Sequence, residues 1–173
     1  SGNRTITINT QVPELNIISP DNNTINTSSN NTFFRFNTTD ENLKNASLLI
    51  NGKINLTNLS LNNNFNVEEN FSLELPDGIY NWSIRATDSG GNINETGNRT
   101  LTIDTHKPQL NIISPDNNTI NGSTNITIFR YNVTDETLKN VSLLINGIIN
   151  TTNTNPQNNI NIIENFTLEL PDG

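Results

Sequence analysis

LELPDGIYNWSIRATDSGGN, Leu73 to Asn92, is the stretch whose reading decides the fold. Leu73 and Leu75 alternate with polar residues before Pro76-Asp77-Gly78, and Tyr80, Trp82, Ile84 and Ala86 alternate after it. Period-two alternation marks strands with one buried face. The stretch therefore reads as a hairpin, two strands joined by a tight Pro-Asp-Gly turn. It carries the only Trp of the chain and one of its two Tyr, which predicts the densest part of a core.

The hexapeptide LELPDG at 73–78 returns at 168–173, an offset of 95. GNRT at 2–5 returns at 97–100, LNIISPDNNTIN at 15–26 returns at 110–121, and LLING at 48–52 returns at 143–147, all at the same offset. Aligned without gaps, residues 1–78 and 96–173 are identical at 54 of 78 positions. The chain is an internal repeat. Differences keep size or apolarity at Phe36/Tyr131, Thr38/Val133, Ala46/Val141 and Val67/Ile162. They concentrate between Lys53–Asn62 and Ile148–Gln157, as in an exposed loop.

Alternation and turn residues place seven strands in one repeat: Glu14–Ile18, Thr32–Thr38, Asn45–Ile50, Lys53–Thr57, Asn70–Leu75, Ile79–Ala86 and Asn98–Ile103. Asn51-Gly52 suits a type I′ turn, whose central residues both need positive φ. Seven short strands with frequent turn signals predict an all-β fold of tandem immunoglobulin-like antiparallel β-sandwiches. The expected core holds Phe34, Phe36, Leu48, Ile50, Phe71, Leu73, Tyr80, Trp82, Ile84 and Leu101, extended by Leu15, Ile17, Ile25, Ala46, Ile54, Leu75, Ala86 and Ile103. Residues 1–10 read as the last strand of a preceding or partner-completed module, 11–104 as a complete module, and 105–173 as a second module lacking its last two strands. That second module is expected not to fold alone. It awaits either a continuing chain or a strand from a neighbouring copy, and Arg4–Ile8 is a spare strand suited to such addition.

Composition bounds the function. Of 173 residues, 38 are Asn, and only 15% are charged, for a net charge of −8. An acidic, weakly charged surface argues against nucleic acid and anionic membrane as partners. Absence of Cys removes disulfides and thiolate chemistry. With no Met at position 1, the chain reads as a processed product or an internal piece of something longer. No apolar run approaches the roughly 18 residues of a membrane span.

The run LPDG-x-Y-x-W-x-x-x-A-x-D-x-x-G-N, Leu75 to Asn92, together with P-x-L-x-I-x-S-P-x-N-N, Pro13 to Asn23, resembles prokaryotic immunoglobulin-like and fibronectin-like repeats. The Asn-, Ile- and Thr-rich version is similar to tandem modules of very long archaeal surface proteins. The resemblance implies an extracellular, cell-surface or cell-envelope setting, in stalks, adhesins or filaments. The inter-sheet disulfide of immunoglobulins is absent, so the architecture carries over and no receptor role does.

The densest motif is Asn-x-Ser/Thr, the acceptor for N-linked glycan. It occurs 19 times, at Asn3, Asn22, Asn26, Asn30, Asn37, Asn45, Asn55, Asn58, Asn70, Asn81, Asn94, Asn98, Asn117, Asn121, Asn125, Asn132, Asn140, Asn150 and Asn165. Composition alone gives roughly 8. Many have an apolar middle residue, as in Asn70-Phe71-Ser72 and Asn81-Trp82-Ser83. On a strand, residues i and i+2 share a face, so Asn and hydroxyl are expected to face solvent while the middle residue enters the core. An outer face built of Asn, Thr and Ser between core residues would produce the same motif without any glycan.

No cofactor is expected. Calcium needs several hard oxygen ligands. Asp40, Glu41 and Asp88 are candidates at one end of a sandwich, and Asp77 and Asp104 with Asp135 and Glu136 at the junction, as in cadherin-like arrays. Lys44 and Lys139 are compatible with a Lys–Asn isopeptide bond. Arg35 and Arg130 are expected to be solvated or paired with Glu74 and Glu169. With His106 as the only His and no Cys, no Ser-His-Asp or Cys-His site recurs in each module, and the chain is read as non-enzymatic. The reading is an extracellular structural repeat, N-glycosylated, whose partners are other modules of the same or neighbouring chains. The alternatives are an adhesin binding glycan or protein, and a filament subunit assembled by strand donation between copies.

Overall fold

A computed structural model describes residues 2–6 and 8–171. Thr7, within the spare strand expected over Arg4–Ile8, and Asp172 and Gly173, at the end of the second LELPDG, lie outside the described residues. The chain divides into two compact units, Ser1–Thr105 and His106–Gly173, and every regular element among the described residues is a strand.

Unit 1 contains β1 (Glu14–Ser19), β2 (Thr24–Asn26), β3 (Asn31–Thr39), β4 (Leu43–Ile50), β5 (Lys53–Asn58), β6 (Glu69–Glu74), β7 (Gly78–Asp88), β8 (Ile93–Glu95) and β9 (Arg99–Ile103). One sheet has the order β1-β3-β6; the other has the order β2-β9-β7-β4-β5, with β8 also on β7. The seven expected strands are present within one or two residues of their bounds. β2 and β8 were not expected: at three residues each they are too short to show alternation. The described residues of 2–10 form no strand, and Ile6 and Ile8 are exposed, so the strand expected over Arg4–Ile8 is not seen among the described residues.

The expected hairpin around Pro76-Asp77-Gly78 is a crossover between sheets. β6 pairs with β3, whereas β7 pairs with β4 and β9 in the facing sheet. Leu73 and Leu75 point at the same core as Trp82 and Ile84, and they do so from the opposite wall. Pro76 has no N–H to continue the β6 ladder. Gly78 has φ of 151°, a value that strains any L side chain, and the Tyr80 ring fills the space beside it. The Tyr80 hydroxyl donates to the Pro76 carbonyl at 2.8 Å and fixes the corner.

Phe34, Phe36, Leu48, Phe71, Trp82, Ile84 and Leu101 are buried, and Ile50, Leu73 and Tyr80 are half-buried against them. Ile25 and Ile54, expected inward, are 55% and 56% exposed. β2 runs parallel to β9 and turns Thr24 and Asn26, not Ile25, toward the protein. In β5 the register slips: Leu48 faces Leu56 but Leu49 faces Ile54, which leaves Asn55 as the extra residue of a bulge. The bulge inverts the phase of the strand, and Leu56 packs on the core in place of Ile54. Asn51 and Gly52 have φ of 51° and 74°, and Asn146 and Gly147 have 51° and 78°, as the turn between paired strands requires.

Asp88 ends β7 with its carboxylate enclosed. Oδ1 accepts from the Asn92 amide N–H at 2.7 Å, and Oδ2 accepts from the side-chain amides of Asn9 and Asn92, both at 2.8 Å. Burial pushes this carboxyl up, but the Asn92 side chain and the backbone amides of Asn92, Gly91 and Gly90 outweigh it and hold the group below the ordinary carboxylate value.

Unit 2 contains β10 (Gln109–Ser114), β11 (Ile126–Thr134), β12 (Val141–Ile145), β13 (Ile148–Asn153) and β14 (Glu164–Glu169). Its sheets are β10-β11-β14 and β12-β13. Registers repeat those of unit 1: Glu14 faces Thr39 as Gln109 faces Thr134, and Asn31 faces Glu74 as Ile126 faces Glu169. Among the described residues there is no counterpart of β2, β7, β8 or β9. The buried cluster is Tyr131, Val133 and Val141, with Leu138 and Phe166 against it. Leu144 is 52% exposed where its equivalent Leu49 is 2%. An apolar cleft of about 250 Å³ opens beside Leu110, Phe129, Val141 and Phe166.

Three outcomes follow from this packing. Trp82→Ala lowers the stability of unit 1 by about 3–5 kcal/mol in urea titrations followed by circular dichroism. Residues 105–173 alone unfold without a cooperative transition, and appending the sequence of 79–104 after Gly173 restores one in calorimetry. Asp88 has a depressed folded pKa, so its contribution is present above its unfolded pKa, near 3.8, and is lost as pH falls through the folded value. Thermal midpoints of Asp88→Asn therefore lie below wild type at pH 7, and the gap closes as pH falls below about 4.

Candidate functional site

The sequons are the candidate site, and the structure sorts them. None of the 19 acceptor asparagines is buried. Thirteen are exposed: Asn3, Asn22, Asn30, Asn55, Asn70, Asn81, Asn98, Asn117, Asn121, Asn125, Asn140, Asn150 and Asn165. The others, Asn26, Asn37, Asn45, Asn58, Asn94 and Asn132, are half-buried.

A glycan attaches through Nδ2, so that atom's engagements matter. Asn94 donates it to the Pro13 carbonyl at 2.9 Å, Asn132 to the Ile160 carbonyl at 2.5 Å and Asn121 to the Ile126 carbonyl at 3.2 Å. Asn58 reaches Glu69 at 3.4 Å, and Asn125 reaches Glu169 at 2.6 Å. These five asparagines hold loops or neighbouring strands together. Asn22 also has a structural task, since its Oδ1 accepts from the Thr100 amide at 2.8 Å.

The hydroxyl half of the motif departs from expectation at three places. Ser83, after Asn81-Trp82, is buried and donates to Glu95 at 2.9 Å. Burial pushes the Glu95 carboxyl up, but Arg85, at 2.7 Å, and Ser83 together hold it below its ordinary value. Ser47, after Asn45-Ala46, is buried against Thr57, and Thr32, after Asn30, is buried as well. Ser47 and Ser83 lie on β4 and β7, which have neighbours on both sides, whereas Thr32 lies in phase with Phe34 and Phe36 on the inner face of β3. On the edge strands β6 and β14 the expected arrangement holds, with Asn70 and Ser72, and Asn165 and Thr167, exposed around Phe71 and Phe166.

The other candidates are placed as follows. Asp88 is filled by amide donors, and Asp40 accepts from the Asn42 amide at 2.7 Å; among the described residues Asp40, Glu41 and Asp88 form no carboxylate cluster. Lys44 and Lys139 are exposed. Arg35 pairs with Glu68 at 3.5 Å rather than Glu74, and Arg130 donates to Ser114 at 3.4 Å rather than to Glu169. Glu169 instead takes the side-chain amide of Asn125 at 2.6 Å. Sequence reading missed the amide cage of Asp88 and the Tyr80 corner. The second was readable as a Tyr at the start of a strand, four residues after Pro76.

A hydroxyl returning to the backbone of the preceding corner is a feature of immunoglobulin-type sandwiches. The solved fibronectin(III)-like modules of Clostridium thermocellum CbhA resemble this chain at 12% identity and a TM-score of 0.43, over 92% of this chain and 80% of that one. No curated protein matches. Residues 7–105, all but the first few positions of unit 1, match the bacterial Ig-like domain family, and the chain belongs to that family.

Proposed function

We propose that the chain is a non-enzymatic extracellular structural repeat, building a stalk, envelope layer or filament, and that it carries N-linked glycan. Bacterial Ig-like domains are commonly surface modules without catalysis, and that coarser role follows from the family. The observation that supports the finer reading is the sameness of the two units where a recognition tip would differ. Thr39-Asp40-Glu41 recurs as Thr134-Asp135-Glu136. The loop is held identically as well: the Asp40 amide donates to Asn63 at 2.8 Å, and the Asp135 amide donates to Asn158 at 2.8 Å. Loops on a rigid scaffold are where binding specificity is written. Repeating them unchanged favours spacing over recognition.

Negative-stain electron microscopy of the native material tests this. Extended surface fibres, stalks or a lattice are expected, unaltered when Asp40-Glu41 and Asp135-Glu136 are replaced by Gly-Ser. Isolated intracellular particles, or a soluble glycan or protein ligand whose binding disappears with that replacement, would overturn it.

A further inference from the structure

Eight sequons recur at the offset of 95: Asn3/Asn98, Asn22/Asn117, Asn26/Asn121, Asn30/Asn125, Asn37/Asn132, Asn45/Asn140, Asn55/Asn150 and Asn70/Asn165. In two pairs only are the Asn and the hydroxyl residue exposed in both copies, with Nδ2 in no hydrogen bond among the described residues: Asn55/Asn150 and Asn70/Asn165. We propose that these four asparagines are the principal N-glycan acceptors, and that their glycans cap the two sheet edges along one side of each unit. The inference rests on the glycan-bearing part of the function proposed above and names its sites.

Both pairs sit on edges. β5 ends the order β2-β9-β7-β4-β5, and β6 ends the order β1-β3-β6. Glu69 of β6 takes the Asn62 amide at 2.8 Å and the Asn58 side chain at 3.4 Å, which brings the two edges to one side of the sandwich. In unit 2 the Asn153 side chain reaches Glu164 at 3.4 Å in the same way. Asn55 is the bulged residue of β5, and the slip between Leu143 and Leu144 gives Asn150 the same place in β13. A bulged residue has no partner across the ladder, so nothing in the sheet asks for an amide there. Still, the motif persists while its surroundings change. Asn55-Leu56-Thr57 becomes Asn150-Thr151-Thr152, and Asn70-Phe71-Ser72 becomes Asn165-Phe166-Thr167, where Ser gives way to the other accepted hydroxyl residue. Each hydroxyl makes one bond: Thr57 with the buried Ser47, and, at the surface, Thr152 with Ser142, Ser72 with Asn31 and Thr167 with Asn165.

The edges have reason to be capped. Ile54 on β5 and Leu59 just beyond it are 56% and 74% exposed, and Ile148 and Ile149 are 74% and 62% exposed along β13. Open, apolar edge strands invite pairing with another chain. A bulky neutral saccharide blocks that approach without adding charge. In the transfer, Nδ2 attacks the anomeric carbon of a sugar carried on a phosphate. The C–N bond forms, the bond from the anomeric carbon to the phosphate oxygen breaks, and the phosphate leaves with the bonding pair while the amide loses one proton to solvent.

Glycopeptide mass spectrometry of native chain provides the test. Saccharide mass on Asn55, Asn70, Asn150 and Asn165 in most molecules is expected, with low occupancy at Asn58, Asn94, Asn121, Asn125 and Asn132. Glycan on other sequons with these four bare overturns the assignment and leaves the general reading standing; a chain bare throughout overturns both. In glycosylated full chain, the double variant Asn55→Gln, Asn70→Gln keeps its circular dichroism and loses two glycan masses. It associates as concentration rises in analytical ultracentrifugation, and a variant that stays monomeric overturns the edge-capping role.

Discussion

Unit 1 depends on one contact across its two sheets. Trp82, on β7, has no accessible surface and meets Phe34, on β3 of the facing sheet, edge to face, with ring centroids 4.9 Å apart at 66°. An aromatic pair in that geometry contributes beyond the area it buries. It also sets the spacing that Phe36 and Phe71, stacked at 5.5 Å, and the aliphatic residues then fill. The buried indole N–H has no hydrogen-bond partner among the described residues, so the ring is held by shape, with the Arg99 guanidinium 6.0 Å from its centre. Because Trp82 must face β3, β7 cannot lie beside β6. The chain has to change sheets between Leu75 and Ile79, and Pro76, Gly78 and the Tyr80 hydroxyl are what that corner needs.

The two units form an internal experiment on which elements stand by themselves. Strands whose partners exist in both units recur with the same registers. Thr24-Ile25-Asn26 and Thr119-Ile120-Asn121 are the same tripeptide, yet the first is strand β2 on β9 and the second is not a strand. β4 begins at Leu43 because Leu43 and Asn45 pair with Asp88 and Thr87, while β12, without such a partner, begins at Val141. Local propensity therefore sets little at these positions. Pairing sets it, as expected for strands, whose preferences measure neighbours more than backbone.

The same physics explains what could be read from the sequence. Alternation located seven strands because each buries one face, and the repeat located the unit. Alternation is blind to which sheet a strand joins. Leu73 and Trp82 look alike in a hairpin and in a crossover, since both point at the core either way. It is also blind to a bulge, which is why Ile54 was expected inside and Leu56 was not. For the sequons, the motif was visible and its context was not. Ser83 reads as an outward residue, but coverage by Glu95 depends on β8, three residues with no signal of their own.

The abundance of asparagine divides into two parts once each side chain is placed. One part works locally. Asn26, Asn58, Asn64, Asn121, Asn153 and Asn159 accept from the amide two residues on, the short-range bond that makes Asn a turn former. Another set bridges strands or loops, as Asn92, Asn94 and Asn132 do. These asparagines have a physical cause in the fold, and the sequons among them need no other. Asn55, Asn70, Asn150 and Asn165 lie on edge strands, outside any turn, and their Nδ2 atoms make no hydrogen bond among the described residues; the Asn165 Oδ1 takes only the Thr167 hydroxyl, at 3.4 Å. Asn is a poor strand former, so the fold gains nothing from it there. A residue disfavoured by its own strand, placed twice at the same register with a hydroxyl two positions on, calls for a cause outside the sheet.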